Sequence, residues 1–598
     1  MDIEHNSREK FYRFPFGAVT CGGEVRLRLA VSGAGIPSAV RLVYMEDGKG
    51  EVRKDMPYIF DVGDHCIYSV NVKMPEKAGL VWYYFELETE RGMVYYGNNS
   101  KQLGGIGEMC FNSPSNSYQI TVYNEDYKTP DWFKTGIAYQ IFVDRFCNGN
   151  ENGEFLGNRT DIIKRNWGEQ PFYKAEQFGG EYKANDFFGG NLKGVIKKLP
   201  YLKDLGISVI YLNPIFKAYS NHKYDTGDYE TIDPMFGDEE TFKELCSKAK
   251  EMGIRIILDG VFNHVGRGHF AFQDVLKNRE NSPYRYWFNI DFNGNDAWND
   301  GLWYEGWEGN YDLVKLNLKN DEVVNYLFDC VKYWIEYFEI DGIRLDVAYC
   351  LDPDFMHRLR EFTDGIKNDF FLVGETVHGD YNRLVNDGML HSATNYECYK
   401  GIHSAINSLN LFEIVHSLLR QFGPEEWTLY KGKHMLSFVD NHDVSRIASV
   451  INNEKNLPLA YAFIFGMPGI PCVYYGSEWG FKADKSQGDP ALRPYFENYE
   501  ENALTDIIAG YAKVKKESKA LNYGNFYSLL LTNRQCVFGR WTEEETVLVG
   551  INIDDNEFKA DFNAGADKAV NMITGETVDI ANGFTMKPNS AYFLRLVK

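Results

Sequence analysis

The sequence predicts an α/β protein built on a (β/α)8 barrel. An N-terminal β-sandwich precedes the barrel, a subdomain is inserted after its third strand, and an all-β domain closes the chain. Three observations predict this. The 598 residues are too many for one core, so about three or four domains are expected. Between residues 131 and 520, short apolar runs alternate with amphipathic helical runs, as in parallel barrels. On either side the period changes to two, as expected for antiparallel strands.

Residues 1–123 read as the sandwich. Val25-Arg-Leu-Arg-Leu-Ala-Val, Cys66-Ile-Tyr-Ser-Val-Asn-Val and Leu80-Val-Trp-Tyr-Tyr-Phe-Glu-Leu alternate between turns rich in Gly, Asp and Pro. Such a domain could bind a ligand or act as a dimer arm. Asn124 to Asp131 reads as a polar linker. The barrel strands then follow in order: Gly136 to Val143, Ile207 to Leu212, Ile254 to Asp259, Gly342 to Asp346, Phe370 to Glu375, Leu390 to Thr394, Leu436 to Asp440 and Pro471 to Tyr475. Helices are expected at Leu192 to Leu205, Glu239 to Met252 and 321–338. Residues 264–317 carry few helix or strand signals and many aromatics, and are too long for a simple loop. From 521 to 598 the alternation returns, as in Thr546-Val-Leu-Val-Gly-Ile.

Composition narrows the function. A formal charge of -22 disfavours nucleic acid as a partner. No run of about 18 apolar residues suggests a membrane span. Met1 to Lys10 is polar, without the apolar core of a secretory leader. The ten cysteines, among them Cys246, Cys330, Cys350 and Cys472, sit among apolar neighbours without metal spacing. Reduced thiols in a cytoplasmic protein are therefore expected. Aromatics reach 15%. They could serve as platforms for sugar rings, or fill large cores and interfaces.

Active sites of such barrels form at the carboxyl ends of the strands. Those ends here carry Asp259 with Asn263 and His264, Arg344 with Asp346, Glu375, and Asp440-Asn-His-Asp443. Alone, Arg344 and Asp346 could be a structural ion pair. Asp346, Glu375 and Asp443 on three strands would instead meet on one rim, as glycoside cleavage requires. Asp346, beside Arg344, should stay ionised and suits a nucleophile. Glu375 lies away from an obvious cation in the sequence, and a raised pKa would suit an acid that later acts as base. Asp443 could hold sugar hydroxyls. A carboxyl separation of roughly 5–5.5 Å between Asp346 and Glu375 would mean retention of configuration.

The chain resembles the α-amylase superfamily of glycoside hydrolases (family 13). Asp259-Gly-Val-Phe-Asn-His, Asp341-Gly-Ile-Arg-Leu-Asp-Val-Ala, Gly374-Glu375 and Phe438-Val-Asp-Asn-His-Asp resemble its four conserved regions, in order. The resemblance implies Asp346 as nucleophile, Glu375 as general acid/base and Asp443 as transition-state stabiliser. It implies that Arg344, His264 and His442 line the cleavage subsite. His222-Lys-Tyr-Asp-Thr resembles the segment that supplies a stacking tyrosine, so His222 and Tyr224 are implied to bind substrate. Asp489 and Arg493 resemble residues that grip the next sugar. Within the superfamily the chain resembles the neopullulanase, cyclomaltodextrinase and maltogenic amylase group. The likeness lies in the leading sandwich, Val143-Asp-Arg-Phe, Phe187-Phe-Gly-Gly and Leu313-Val-Lys-Leu-Asn. The group's N-terminal domain commonly caps a partner's cleft, which implies a homodimer.

Two segments depart from the group: Val347-Ala-Tyr-Cys and Glu375-Thr-Val-His. They leave open hydrolysis against transfer, and α-1,4 against α-1,6 bonds. The expected activity is hydrolysis of α-glucan oligosaccharides. A debranching enzyme or transglycosylase is the alternative, and a carbohydrate-binding protein on the same fold is the non-enzyme reading. No organic cofactor is expected. Asn148, Asn150 and Glu154 offer hard oxygens in a tight turn that calcium would accept, and the turn resembles a calcium loop of the group. A solvated turn is the other reading.

Overall fold

The computed structural model describes residues 1–597 apart from 16–18, 47, 78, 101–103, 115, 124–128, 168, 170, 172–183, 425–427 and 497–500. Most of the expected linker, 124–131, lies outside the described residues. The chain divides into two compact units.

The first unit holds Met1–Lys128 with two later segments, Asp380–Gly388 and Leu418–Lys433. It contains a five-stranded and a seven-stranded sheet. Val25, Leu27 and Leu29 from one sheet and Leu42, Tyr83, Phe85 and Leu87 from the other share one core. The inward residues alternate with solvent-facing ones, the pattern of a two-sheet sandwich. The later segments join this unit through side chains: Gln119 donates to Asp380, and the Arg383 guanidinium lies over the Trp82 ring. A barrel spanning all of 131–520 would have placed both segments elsewhere. Gly379 adopts φ +93°, and such a turn lets the chain leave the barrel pattern.

The second unit holds the barrel and the C-terminal domain. The barrel strands are Ala138–Ile141, Val209–Leu212, Arg255–Gly260, Gly342–Leu345, Phe371–Gly374, Ser392–Ala393, Leu436–Phe438 and Ile470–Tyr474. All pair in parallel with their neighbours, in the order sixth-fifth-fourth-third-second-first-eighth-seventh. A parallel bridge between Thr394 and Leu436 joins the sixth to the seventh and closes the ring. Closure removes the unpaired sheet edges. The first four strands are almost continuously buried, because helices cover the outer face and side chains fill the inner one.

Side-chain caps set where the helices start. Asn191, Asp238, Asn320 and Asp352 accept backbone N–H bonds at the heads of Leu192–Asp204, Glu239–Glu251, Asp321–Tyr337 and Pro353–Ile366. The alternation breaks once. Among the described residues, the connection from the fifth strand to the sixth forms only a 3-10 turn, Tyr381–Arg383. The insert after the third strand is more regular than its sequence suggested. It contains the helix Phe270–Asn278 and an antiparallel ribbon of His264–Gly266, Gly306–Trp307 and Asn310–Lys315. Two of those strands span only two or three residues, too short to show a period of two.

The C-terminal domain is a six-stranded antiparallel sheet with a further pair, Phe558–Ala560 and Phe584–Met586. Helix Leu457–Gly466 is buried on nearly every face. Its Phe463 stacks on Phe538 of the C-terminal sheet. All ten cysteines are free thiols.

Candidate active site

Strand register builds the site. Asp259 and Arg344 are direct partners across the third and fourth strands, and Arg344 is opposite Val373 on the fifth. Side chains two residues apart share a face, so Asp346 and Glu375 emerge beside Arg344 at the barrel mouth. Arg344 Nη1 donates to Asp259 Oδ1 at 2.9 Å and to Asp346 Oδ1 at 2.8 Å. Its Nη2 lies 2.9 Å from Glu375 Oε2. One guanidinium therefore gathers three carboxylates from three strands.

This corrects the electrostatic expectation. Glu375 does contact a cation, Arg344. Burial pushes Asp346 up, Arg344 opposes that push, and the Glu375 and Asp259 carboxylates reinforce it. Burial also raises Glu375, against Arg344 and with help from Asp443. Sequence proximity to one arginine could not reveal that two further carboxylates draw on the same charge. Asp346 keeps 6% of its surface exposed and Glu375 7%, so both are buried at the barrel mouth.

The turn after Asp346 is strained. Val347 adopts φ 38°, ψ 48°, a left-handed conformation costly for a β-branched residue. That twist aims its N–H at Glu375 Oε2, 3.0 Å away.

Asp443 sits after the seventh strand. Its Oδ1 accepts from Arg493 Nη2 at 2.9 Å, and its Oδ2 lies 3.0 Å from His442 Nε2. Burial alone would raise its pKa. His442, Arg493, Lys485 and Arg344 outweigh burial and hold it near about 2. Burial pushes His442 itself down to about 3, so near neutral pH the arginines and the lysine supply the positive charge. Gln140 Nε2 lies 2.8 Å from His442 Nδ1. In this network Gln140 donates to Nδ1, and the histidine proton is assigned to Nε2, facing Asp443.

Tyr224 donates to Asp259 Oδ2 at 2.8 Å and lies 2.7 Å from His442 Nε2, its ring stacked on that histidine. His222 packs against Tyr224 with ring centroids 5.8 Å apart, and burial drives its pKa well down. His264 meets Asn263 through Nδ1 at 3.1 Å, while its buried Nε2 has no hydrogen-bond partner. Burial lowers it to about 4. Asp489 is 3.7 Å from Arg493 Nη2. All ten predicted catalytic and substrate-binding residues thus lie in the second unit, and contacts link every one except His264 to the carboxylate network, His222 through Tyr224, whose N–H donates to His222 Nδ1 at 3.1 Å.

Sequence reasoning missed Gln140, Tyr211, Asn213 and Tyr396, and gave Asn441, named within the strand end at 440–443, no role. Tyr211 donates to Asp259 Oδ2 at 2.6 Å, Asn213 to the Tyr224 hydroxyl at 2.9 Å, and Asn441 to the Tyr396 hydroxyl at 3.0 Å. The signal was available for two of them. Tyr211 lies on the buried parallel strand Val209–Leu212 and Asn213 just past its end, two residues on, a polar alternation that marks the face turned into the barrel.

Asn148, Asn150 and Glu154 lie apart from this cluster. The side-chain amides of Asn148 and Asn150 both donate to the Glu154 main-chain oxygen, at 3.3 and 2.7 Å. Turning the Asn150 amide would direct its oxygen to the same point, whereas Asn148 Oδ1 already accepts the Asn150 backbone N–H at 2.9 Å and Asn191 Nδ2 at 3.1 Å. Among the described residues, no three His, Cys, Asp or Glu side chains are grouped to hold a metal.

Residues 140–521 match the family described as alpha amylase, catalytic domain. An amylopullulanase of Thermoanaerobacter thermohydrosulfuricus is 30% identical over 98% of this chain, which spans 43% of that relative. The chain therefore covers less than half the length of that relative. An intracellular maltogenic amylase of Bacillus subtilis (strain 168) is 34% identical, over 72% of this chain and 70% of its own. The solved structure of a cyclomaltodextrinase superposes with a TM-score of 0.70 at 25% identity, over 99% of each chain.

Proposed function

The chain belongs to the α-amylase family, and on that premise we propose that it is a retaining hydrolase of α-glucosidic bonds. Its substrates are maltooligosaccharides, cyclodextrins, pullulan or starch fragments. The carrying observation is that Asp346 and Glu375, on adjacent strands, share the two ends of one guanidinium.

In the first step an Asp346 oxygen attacks the anomeric carbon as the glycosidic C–O bond breaks. Glu375 gives its proton to the departing oxygen. In the second step the Glu375 carboxylate takes a proton from water, whose oxygen attacks the same carbon and releases Asp346. Two inversions leave the configuration retained. Arg344 stays charged throughout and compensates whichever carboxylate is ionised. Asp443, ionised and held by Arg493, accepts hydrogen bonds from sugar hydroxyls. His264 and His442 are neutral near pH 7 and exchange hydrogen bonds with hydroxyls rather than charge.

The names of the similar proteins support α-1,4 cleavage with some action on α-1,6 bonds. The intracellular maltogenic amylase supports a cytoplasmic setting, and no helix among the described residues is long and apolar enough to cross a membrane. Asn148, Asn150 and Glu154 would hold calcium, which would stiffen their turn. A homodimer through the N-terminal sandwich is supported by its exposed apolar strand, with Tyr58, Ile59 and Val62 each about half exposed.

The test is product analysis on β-cyclodextrin, pullulan and maltotriose side by side, with the anomer of the first product read by NMR. An α-anomer from maltotriose or cyclodextrin is the expected result. Cleavage of pullulan alone would favour the debranching reading, and binding without any released sugar would make the chain a carbohydrate-binding protein.

A further inference from the structure

We propose that a cleft in the C-terminal β domain is a second binding site for a neutral α-glucan chain, separate from the catalytic barrel. The cleft has a volume of about 680 Å3, within the range of about 300–1,000 Å3 typical of small-ligand sites. Its aromatic lining is the partly buried Tyr592, packed edge to face on the core residue Phe584 with centroids 5.0 Å apart. The Tyr592 hydroxyl accepts the Lys587 backbone N–H at 2.9 Å, which fixes that ring. Pyranose rings present apolar C–H faces that pack on such surfaces.

The charged lining is balanced. Lys559 and Lys587 stand against Glu576 and Asp579, so no net charge draws an ion. Donors and acceptors side by side suit vicinal hydroxyls, which both give and take hydrogen bonds. Lys559 Nζ is held by the Asn582 carbonyl at 3.0 Å. The walls are paired strands: Lys568–Asn571 pairs with Thr577–Asp579 on one side and with Ser590–Leu596 on the other. The cleft is therefore formed before any ligand arrives, and binding orders little chain. The choice of an α-glucan as occupant rests on the proposed hydrolase activity.

The test uses the full chain carrying Asp346→Asn, which cannot consume the ligand, titrated calorimetrically with maltoheptaose. Two chains bound per protein are expected, falling to one when Lys559→Ala and Glu576→Ala are added. In the otherwise native protein the same pair should lower kcat/KM on starch about three- to tenfold and leave maltotriose unchanged, because a trisaccharide is too short to engage both sites. One bound chain with and without the rim changes, together with an unchanged starch rate, overturns the proposal. Glu576→Gln, a change at an exposed side chain, is the second variant should the double change unfold. Two bound chains without any hydrolysis by the native protein would defeat the hydrolase reading and leave the second site standing.

Discussion

Arg344 carries one positive charge among three carboxylates, so Asp259, Asp346 and Glu375 cannot all ionise without leaving the buried cluster negative. The cluster therefore holds a proton more readily than isolated carboxyls would. Two substitutions then have opposite effects on stability. Asp346→Asn removes one of the crowded negative charges and should leave the melting temperature unchanged or higher, while turnover falls by at least about 10³-fold. Arg344→Met leaves three carboxylates without their cation and should cost about 3–5 kcal/mol. Denaturant unfolding of both variants checks the contrast, and equal losses of stability would refute the shared-charge account. Glu375→Gln should slow maltotriose hydrolysis by about 10²–10⁴-fold. It should lower kcat/KM on an aryl α-maltoside far less, because that leaving group needs no proton in the first step. The alkaline limb of native kcat/KM should lie above the ordinary carboxylate range, since Glu375 must be protonated to act and burial raises its pKa. That limb should vanish in the Gln variant.

At the scale of single elements, the 3-10 turn Ser477–Trp479 after the eighth strand buries Glu478 completely. Tyr139 and Tyr201 donate to its Oε1 at 2.6 and 3.0 Å, and its Oε2 is buried without a partner. Burial pushes its pKa from 4.5 up to about 7. The folded protein thus holds this proton more tightly than the unfolded chain does. Its contribution is complete below about pH 4.5 and is lost as pH rises through about 7. Linkage over that window amounts to about 3 kcal/mol. Relative to the native chain, Glu478→Gln should gain roughly that much stability between pH 4 and pH 8. Parallel stability curves for the two proteins would show that Glu478 does not titrate in this window. Val347 shows a related limit of sequence reading. Nothing in Leu345-Asp-Val-Ala signals a left-handed residue, because the strain is imposed by the meeting of two strands and the carboxylate that accepts its N–H.

For the whole molecule, two solution properties follow from the proposed calcium turn and dimer. Calcium should raise the melting temperature by a few degrees and a chelator should reverse it. Asn148→Ala should remove the response, and an unchanged melt in all cases argues for a solvated turn. A sizing column should return twice the mass of one chain. The barrel was legible because each strand-helix unit leaves a local signature, as with the capped helix Glu239–Glu251 before the apolar strand Arg255–Gly260. The exchange of Asp380–Gly388 and Leu418–Lys433 into the first unit was not legible. It depends on pairs such as Gln119 with Asp380, 261 residues apart, which no local pattern reports.

By itself the sequence determined the (β/α)8 barrel, the leading and closing β domains, and the charged strand ends, because periodicity and residue type are local properties. The tertiary structure alone decided how charge is shared among them. Register set Asp259 beside Arg344, pairing of the eighth strand with both the first and the seventh brought Gln140 to His442, and both depend on which strands become neighbours. Burial then moved the carboxyl pKa values in a direction that proximity along the chain could not disclose, since desolvation belongs to the folded molecule.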